Sequence, residues 1–119
     1  MSPVVSGAVL GGLAVALGAF GAHGLKDSLT PDRLEVYEVG VRYQMYHALA
    51  LLLTGLLLRD APAAASRTGW LFLAGSLVFS GTLYALALGS PRWLGAVTPV
   101  GGLLLIGGWV SLALGTRAG

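Results

Sequence analysis

The chain holds no cysteine, which excludes disulfides, thiolate metal ligands and a cysteine nucleophile, and leaves its compartment open. Charge is nearly as scarce. Only 10% of the 119 residues are Asp, Glu, Lys or Arg, against roughly 25% in soluble domains. The acids are confined to Asp27 through Glu38 and to Asp60, so no apolar run carries the carboxylate expected of a proton-coupled exporter. The basic residues stand singly between apolar runs, and a net charge of +2 provides no face for nucleic acid. No basic side chain precedes the first apolar run in Met1-Ser2-Pro3-Val4, so a signal peptide is not expected. The pairs Gly101-Gly102 and Gly107-Gly108 lack the Lys-Ser/Thr of a phosphate loop. Ser76 and Ser80 share a helix face with no base near them in sequence. Catalytic residues, metal ligands and cofactors are therefore not assigned.

What remains is a membrane composition. Hydrophobic residues make up 55% of the chain, glycines number 19 and the mean hydropathy is +0.81; glycine is common where membrane helices approach closely. A helix needs about 20 residues to cross a hydrocarbon core of roughly 30 Å, and charges divide the sequence into four such runs. The spans cover about residues 4–22, 41–58, 68–88 and 97–114, with a polar connection over 23–40, in one transmembrane domain over 1–119. The expected fold is all-α, an antiparallel four-helix bundle in the cell membrane with an amphipathic lead-in to the second span. Thr30-Pro31-Asp32 reads as the start of one helix running through Leu58, with Gly40 a place for a bend. Leu34, Tyr37 and Val41 share one side of its first part and Glu35, Glu38 and Arg42 another, a pattern suited to the headgroup level. Glu38 and Arg42 are also spaced for an ion pair. Arg59 through Arg67 reads as a tight turn, Thr98-Pro99 as another helix start, and Trp70 and Tyr84 as interfacial anchors. Glycines four residues from other small residues mark packing faces, among them Gly7, Gly11, Gly18, Gly81 and Gly107.

The mixed stretch is Val41-Arg42-Tyr43-Gln44-Met45-Tyr46-His47. Beyond Arg42 the second span has 16 uncharged residues, Tyr43 to Leu58, about 24 Å of helix, which draws Arg42 to the membrane edge or just within it. His47 lies about 7.5 Å deeper. His23 ends the first span on the same side, called B here; the opposite side, A, holds both termini and no comparable polar group. His23, Arg42, Tyr43, Tyr46 and His47 are the candidate polar or ligand cluster. One reading is structural, with the histidine bonded inside the bundle and Arg42 snorkelling or paired to Glu38. Another is a site for a polar group entering from side B, such as a lipid headgroup, a quinone or a proton. A bis-histidine haem or metal site on His23 and His47 lacks a third metal ligand within the bilayer. The corresponding functions are an accessory or scaffold component that packs with itself or a larger membrane complex, an oligomeric carrier or channel for a small polar molecule, and a lipid- or quinone-binding subunit.

Three segments carry a family resemblance: Gly18-Ala19-Phe20-Gly21-Ala22-His23-Gly24-Leu25-Lys26, Val41-Arg42-Tyr43-Gln44-Met45-Tyr46-His47-Ala48-Leu49, and Leu94-Gly95-Ala96-Val97-Thr98-Pro99-Val100-Gly101-Gly102. With them the chain resembles the transmembrane protein 256 family, the YgdD-like small membrane proteins of unknown function. The resemblance implies a four-helix integral membrane protein and supplies no reaction, substrate or catalytic residue. The acidic and aromatic residues usual before the second segment are partly present as Glu35, Tyr37 and Glu38, and the resemblance gives that part no role.

Overall fold

The computed structural model describes residues 2–117. It contains four long helices: α1 (Pro3–Phe20), α2 (Pro31–Leu57), α3 (Pro62–Ala87) and α4 (Thr98–Arg117). A wide π turn, Gly21–Leu25, closes α1, and a 3-10 turn, Arg92–Ala96, leads into α4. Proline stands at the start of each of the first three helices, where its missing N–H has no partner to lose. Ser2 and Thr30 cap α1 and α2 by accepting from Val5 N and Arg33 N, each at 3.3 Å. The turn expected over Arg59 to Arg67 is shorter than its sequence suggests. Pro62 opens α3 instead of merely ending α2, and Ala63, Ala64 and Ala65 extend the helix because alanine has the highest helix propensity. α2 runs unbroken through Gly40.

Three helical stretches, Pro3–Leu25, Pro62–Ala87 and Arg92–Arg117, are long and apolar enough to cross a membrane. Chain neighbours pack side by side as α1 on α2, α2 on α3 and α3 on α4, while α1 and α4 do not touch among the described residues. The bundle is therefore open. Its extents of 49 × 27 × 19 Å fit two staggered rows of helices, each about 10 Å across.

Glycine sets the closest approaches. A Cβ on Gly7 would stand 2.7 Å from the Ala48 carbonyl oxygen, and one on Gly101 would stand 2.5 Å from the Phe79 amide nitrogen. Gly18 faces Val41 at 3.3 Å, while Gly11 and Gly107 have ordinary contacts at 3.7 Å to Ala48 and 3.8 Å to Leu71. Gly81 makes no packing contact within the chain, because nothing lies within 4 Å of its Cβ position. The inner face of α3 passes through Phe72, Gly75, Ser76 and Ser80, and at 100° per residue Gly81 points away from it.

α2 is the least apolar of the four helices, and its polar side chains turn inward. Tyr37, Gln44, His47 and Thr54 are all buried. Tyr37 Oη donates to the Leu17 carbonyl at 2.6 Å, and Gln44 Nε2 to the Leu10 carbonyl at 2.8 Å. Tyr84 Oη donates to Gln44 Oε1 at 2.6 Å, and Ser80 Oγ to the Gly40 carbonyl at 2.7 Å. Thr54 bonds back to Ala50 at 2.8 Å. Each bond satisfies a group that lipid cannot. Tyr84 is thus an inward helix-to-helix link rather than an interfacial anchor; its ring lies 5.2 Å from that of Tyr37, in space that only a glycine at position 40 leaves open.

Candidate functional site

A pocket of about 530 Å³ opens between α2 and α4, two helices that barely meet. α2 supplies Tyr43, Tyr46 and His47, α3 supplies Phe79, and α4 supplies Gly102, Leu105, Ile106 and Trp109. Helical spacing explains the grouping: Tyr43, Tyr46 and His47 lie three and four residues apart, and so do Gly102, Leu105, Ile106 and Trp109. The Tyr43 ring lies 4.9 Å from Phe79 and stacks over His47 at 6.2 Å with the planes 22° apart. Phe72, fully buried, supports His47 at 5.7 Å and meets Trp109 edge-on at 5.1 Å. Gly108 leaves the space that the Phe72 ring requires.

His47 is held at both ring nitrogens. Nδ1 lies 2.7 Å from the Tyr43 carbonyl oxygen, and Trp109 Nε1 donates to Nε2 at 3.0 Å. An indole only donates and a carbonyl only accepts, so the proton sits on Nδ1 and the imidazole is neutral. His47 is 5% exposed and acts as a wall that locks α2 to α4, with both nitrogens engaged by groups of the chain itself. Removing the indole donor with Trp109→Phe keeps the ring packing. A double-mutant cycle of His47→Ala and Trp109→Phe, read by thermal unfolding in detergent, is expected to give a coupling of about 0.6 kcal/mol and at most ~1.7 kcal/mol, the range for hydrogen bonds between membrane helices.

The candidate cluster divides into three places. Tyr43, Tyr46 and His47 share the α2–α4 pocket. Arg42 lies around the helix in a second groove of about 310 Å³ with Gly18, Gly21, Ala22, Tyr37, Glu38 and Val41. His23 is exposed on the π turn and lines neither. The pairing of His23 with His47 is corrected by the register of α1 on α2. Gly11 faces Ala48, so His23, twelve residues further along, lies about 18 Å away along the axis. The same register sets Val41 against Gly18, so Arg42 stands about five residues back along α1 from the level of His23. From Tyr37 onward the lead-in packs alongside α1. Side A also has a polar group: Thr68 and Ser111 hydroxyls pair at 2.6 Å, and Arg67 Nε donates to Ser111 at 3.2 Å.

Trp109, which lines the pocket beside His47, stands outside the candidate cluster, and so do Gln44 and Tyr84, which tie α2 to α1 and α3. A trace of the inward face exists in the seven-residue steps Tyr37 to Gln44 and Gly40 to His47 to Thr54, which return to one helix face. No comparable signal marks Trp109. Among the described residues no three His, Cys, Asp or Glu side chains gather in one place.

An open helical bundle with several apolar crossings and a side-opening pocket defines a small multi-pass membrane protein. Residues 17–102 match the family described as "Protein of unknown function (DUF423)", and the chain belongs to that family, the UPF0382 membrane proteins. It is 45% identical over 113 residues to a UPF0382 membrane protein of Staphylococcus saprophyticus, covering 95% of this chain and 94% of the relative. To the UPF0382 membrane protein YwdK of Bacillus subtilis it is 42% identical over 113 residues, covering 93% and 92%. No solved structure matches it.

Proposed function

We propose that the protein is an accessory membrane component that holds an amphiphile in the α2–α4 pocket, with α2 as a fourth crossing beside α1 and α3. The observation that supports this reading is the pocket itself. Its volume of about 530 Å³ lies within the ~300–1,000 Å³ of small-molecule sites. Its walls are aromatic and aliphatic with two phenols at the opening, where Tyr43 and Tyr46 are exposed. Such a lining takes a flat or branched apolar body that carries a hydrogen-bond acceptor, a description that fits a quinone or the ester end of a lipid. The groove opens sideways, so the ligand enters from the bilayer.

Gly102 offers a clean test. A Cβ there meets only the Phe79 ring, at 3.8 Å, so Gly102→Phe fills the pocket without pressing on backbone. After extraction in mild detergent and mass spectrometry of bound small molecules, wild type is expected to retain a discrete amphiphile and Gly102→Phe to lose most of it. Equal retention by both proteins at equal helicity would refute the reading.

A further inference from the structure

Arg42 is poorly accommodated by the chain's own packing. Val41 lies against Gly18 and Tyr37 bonds Leu17, so Arg42 is level with Gly18, five residues and about 7.5 Å inward of His23. α1 carries no charge beside it. Charged groups at such depth normally face a bundle interior, a water-filled cavity or an opposite charge. Arg42 and Glu38 are instead both exposed, on the outward face of α2 beside a groove formed with Gly18, Gly21 and Ala22. The same face continues toward side A through Tyr46, Leu49, Leu53 and Leu56, all exposed. From Tyr46 onward the steps are three, four and three residues, the spacing of a helix-to-helix seam.

We propose that two copies of this chain meet along this face, parallel and side by side, with α2 against α2 about a two-fold axis normal to the membrane. A two-fold brings a surface against itself, so the surface has to be self-complementary. This one is. Helical side chains lean toward their own N-terminus, which in α2 carries Arg42 toward the level of Glu38. Arg42 of each copy then meets Glu38 of the other, giving two ion pairs and removing both charges from lipid. The leucines close the seam below, and the small residues Gly18 and Ala22 leave room above. The face shares only Tyr46 with the α2–α4 pocket, and pairing requires no bound amphiphile.

Charge reversal separates this interface from an ion pair within one helix. Donor- and acceptor-labelled full-length chains in phosphatidylcholine vesicles report pairing by energy transfer as the protein is diluted in lipid. Wild type is expected to show transfer above the random level. The Glu38→Arg chain alone and the Arg42→Glu chain alone should each pair at least about tenfold more weakly, on the scale of buried charge pairs, and recover when mixed with each other. A mixture no better than either chain alone, or wild type at the random level throughout, overturns the proposal. So does a monomeric wild type that instead retains added phosphatidylethanolamine through Arg42, which would make the groove a headgroup site.

A second measurement holds if the reversed chains fail to insert. The cysteine-free background lets Leu49→Cys report directly: oxidation should link two copies through it, while Leu103→Cys, exposed on α4, should not link. Equal linking at both positions overturns the proposal as well.

Discussion

Gly101→Ala is expected to destabilise the fold by about 1–3 kcal/mol, the cost of overpacking a well-filled contact, while Gly81→Ala in the same protein stabilises it by up to ~1 kcal/mol through helix propensity. The chemical change is identical, and surroundings decide the sign. At Gly101 the new methyl would stand 2.5 Å from the Phe79 amide nitrogen and 2.8 Å from its Cα, backbone atoms that cannot rotate away, so α3 and α4 must separate. At Gly81 nothing lies within 4 Å. Thermal unfolding followed by circular dichroism in mild detergent measures both. Equal shifts would mean that α4 does not rest on α3 in this register.

Gln44→Leu carries the second large effect. The amide is 4% exposed and bonds in two directions, to the Leu10 carbonyl of α1 and from the Tyr84 hydroxyl of α3. Replacing it strands the part-buried Tyr84 hydroxyl among groups that cannot accept from it, and a donor left unsatisfied away from water costs about 1–3 kcal/mol. Removing the stranded group as well, with Tyr84→Phe, takes away that penalty. The double variant is therefore expected to unfold at a higher temperature than Gln44→Leu alone, even though it has lost one more polar group. Simple additivity of the two substitutions would show that Gln44 and Tyr84 are not partners.

The contrast between Gly81 and Gly101 also shows what a single sequence contains. Helix starts are local, and Ser2-Pro3 and Thr30-Pro31 carry their caps within four residues. The four helices and their order are legible from the runs between charges. The inter-helix register is not local. With 19 glycines in 119 residues, small-residue spacing recurs on nearly every face, and spacing alone cannot separate the glycine under Phe79 from the one facing outward. The same lack of register made His23 look like a neighbour of His47, since both precede or follow the same connection. Depth decides otherwise, and the partner is Trp109, 62 residues distant. The inward course of Gln44, His47 and Thr54 explains why a stretch too polar for an ordinary span packs between two apolar ones.

The pocket is tested most directly by replacing Ile106, which lines it, with a photoreactive residue, and comparing it with Leu103, which is exposed on the same helix and does not line it. After irradiation in native membranes, mass spectrometry is expected to show one discrete amphiphile adduct at position 106 and a spread of bulk phospholipids at 103. The same spread of bulk lipid at both positions would contradict a ligand-holding pocket.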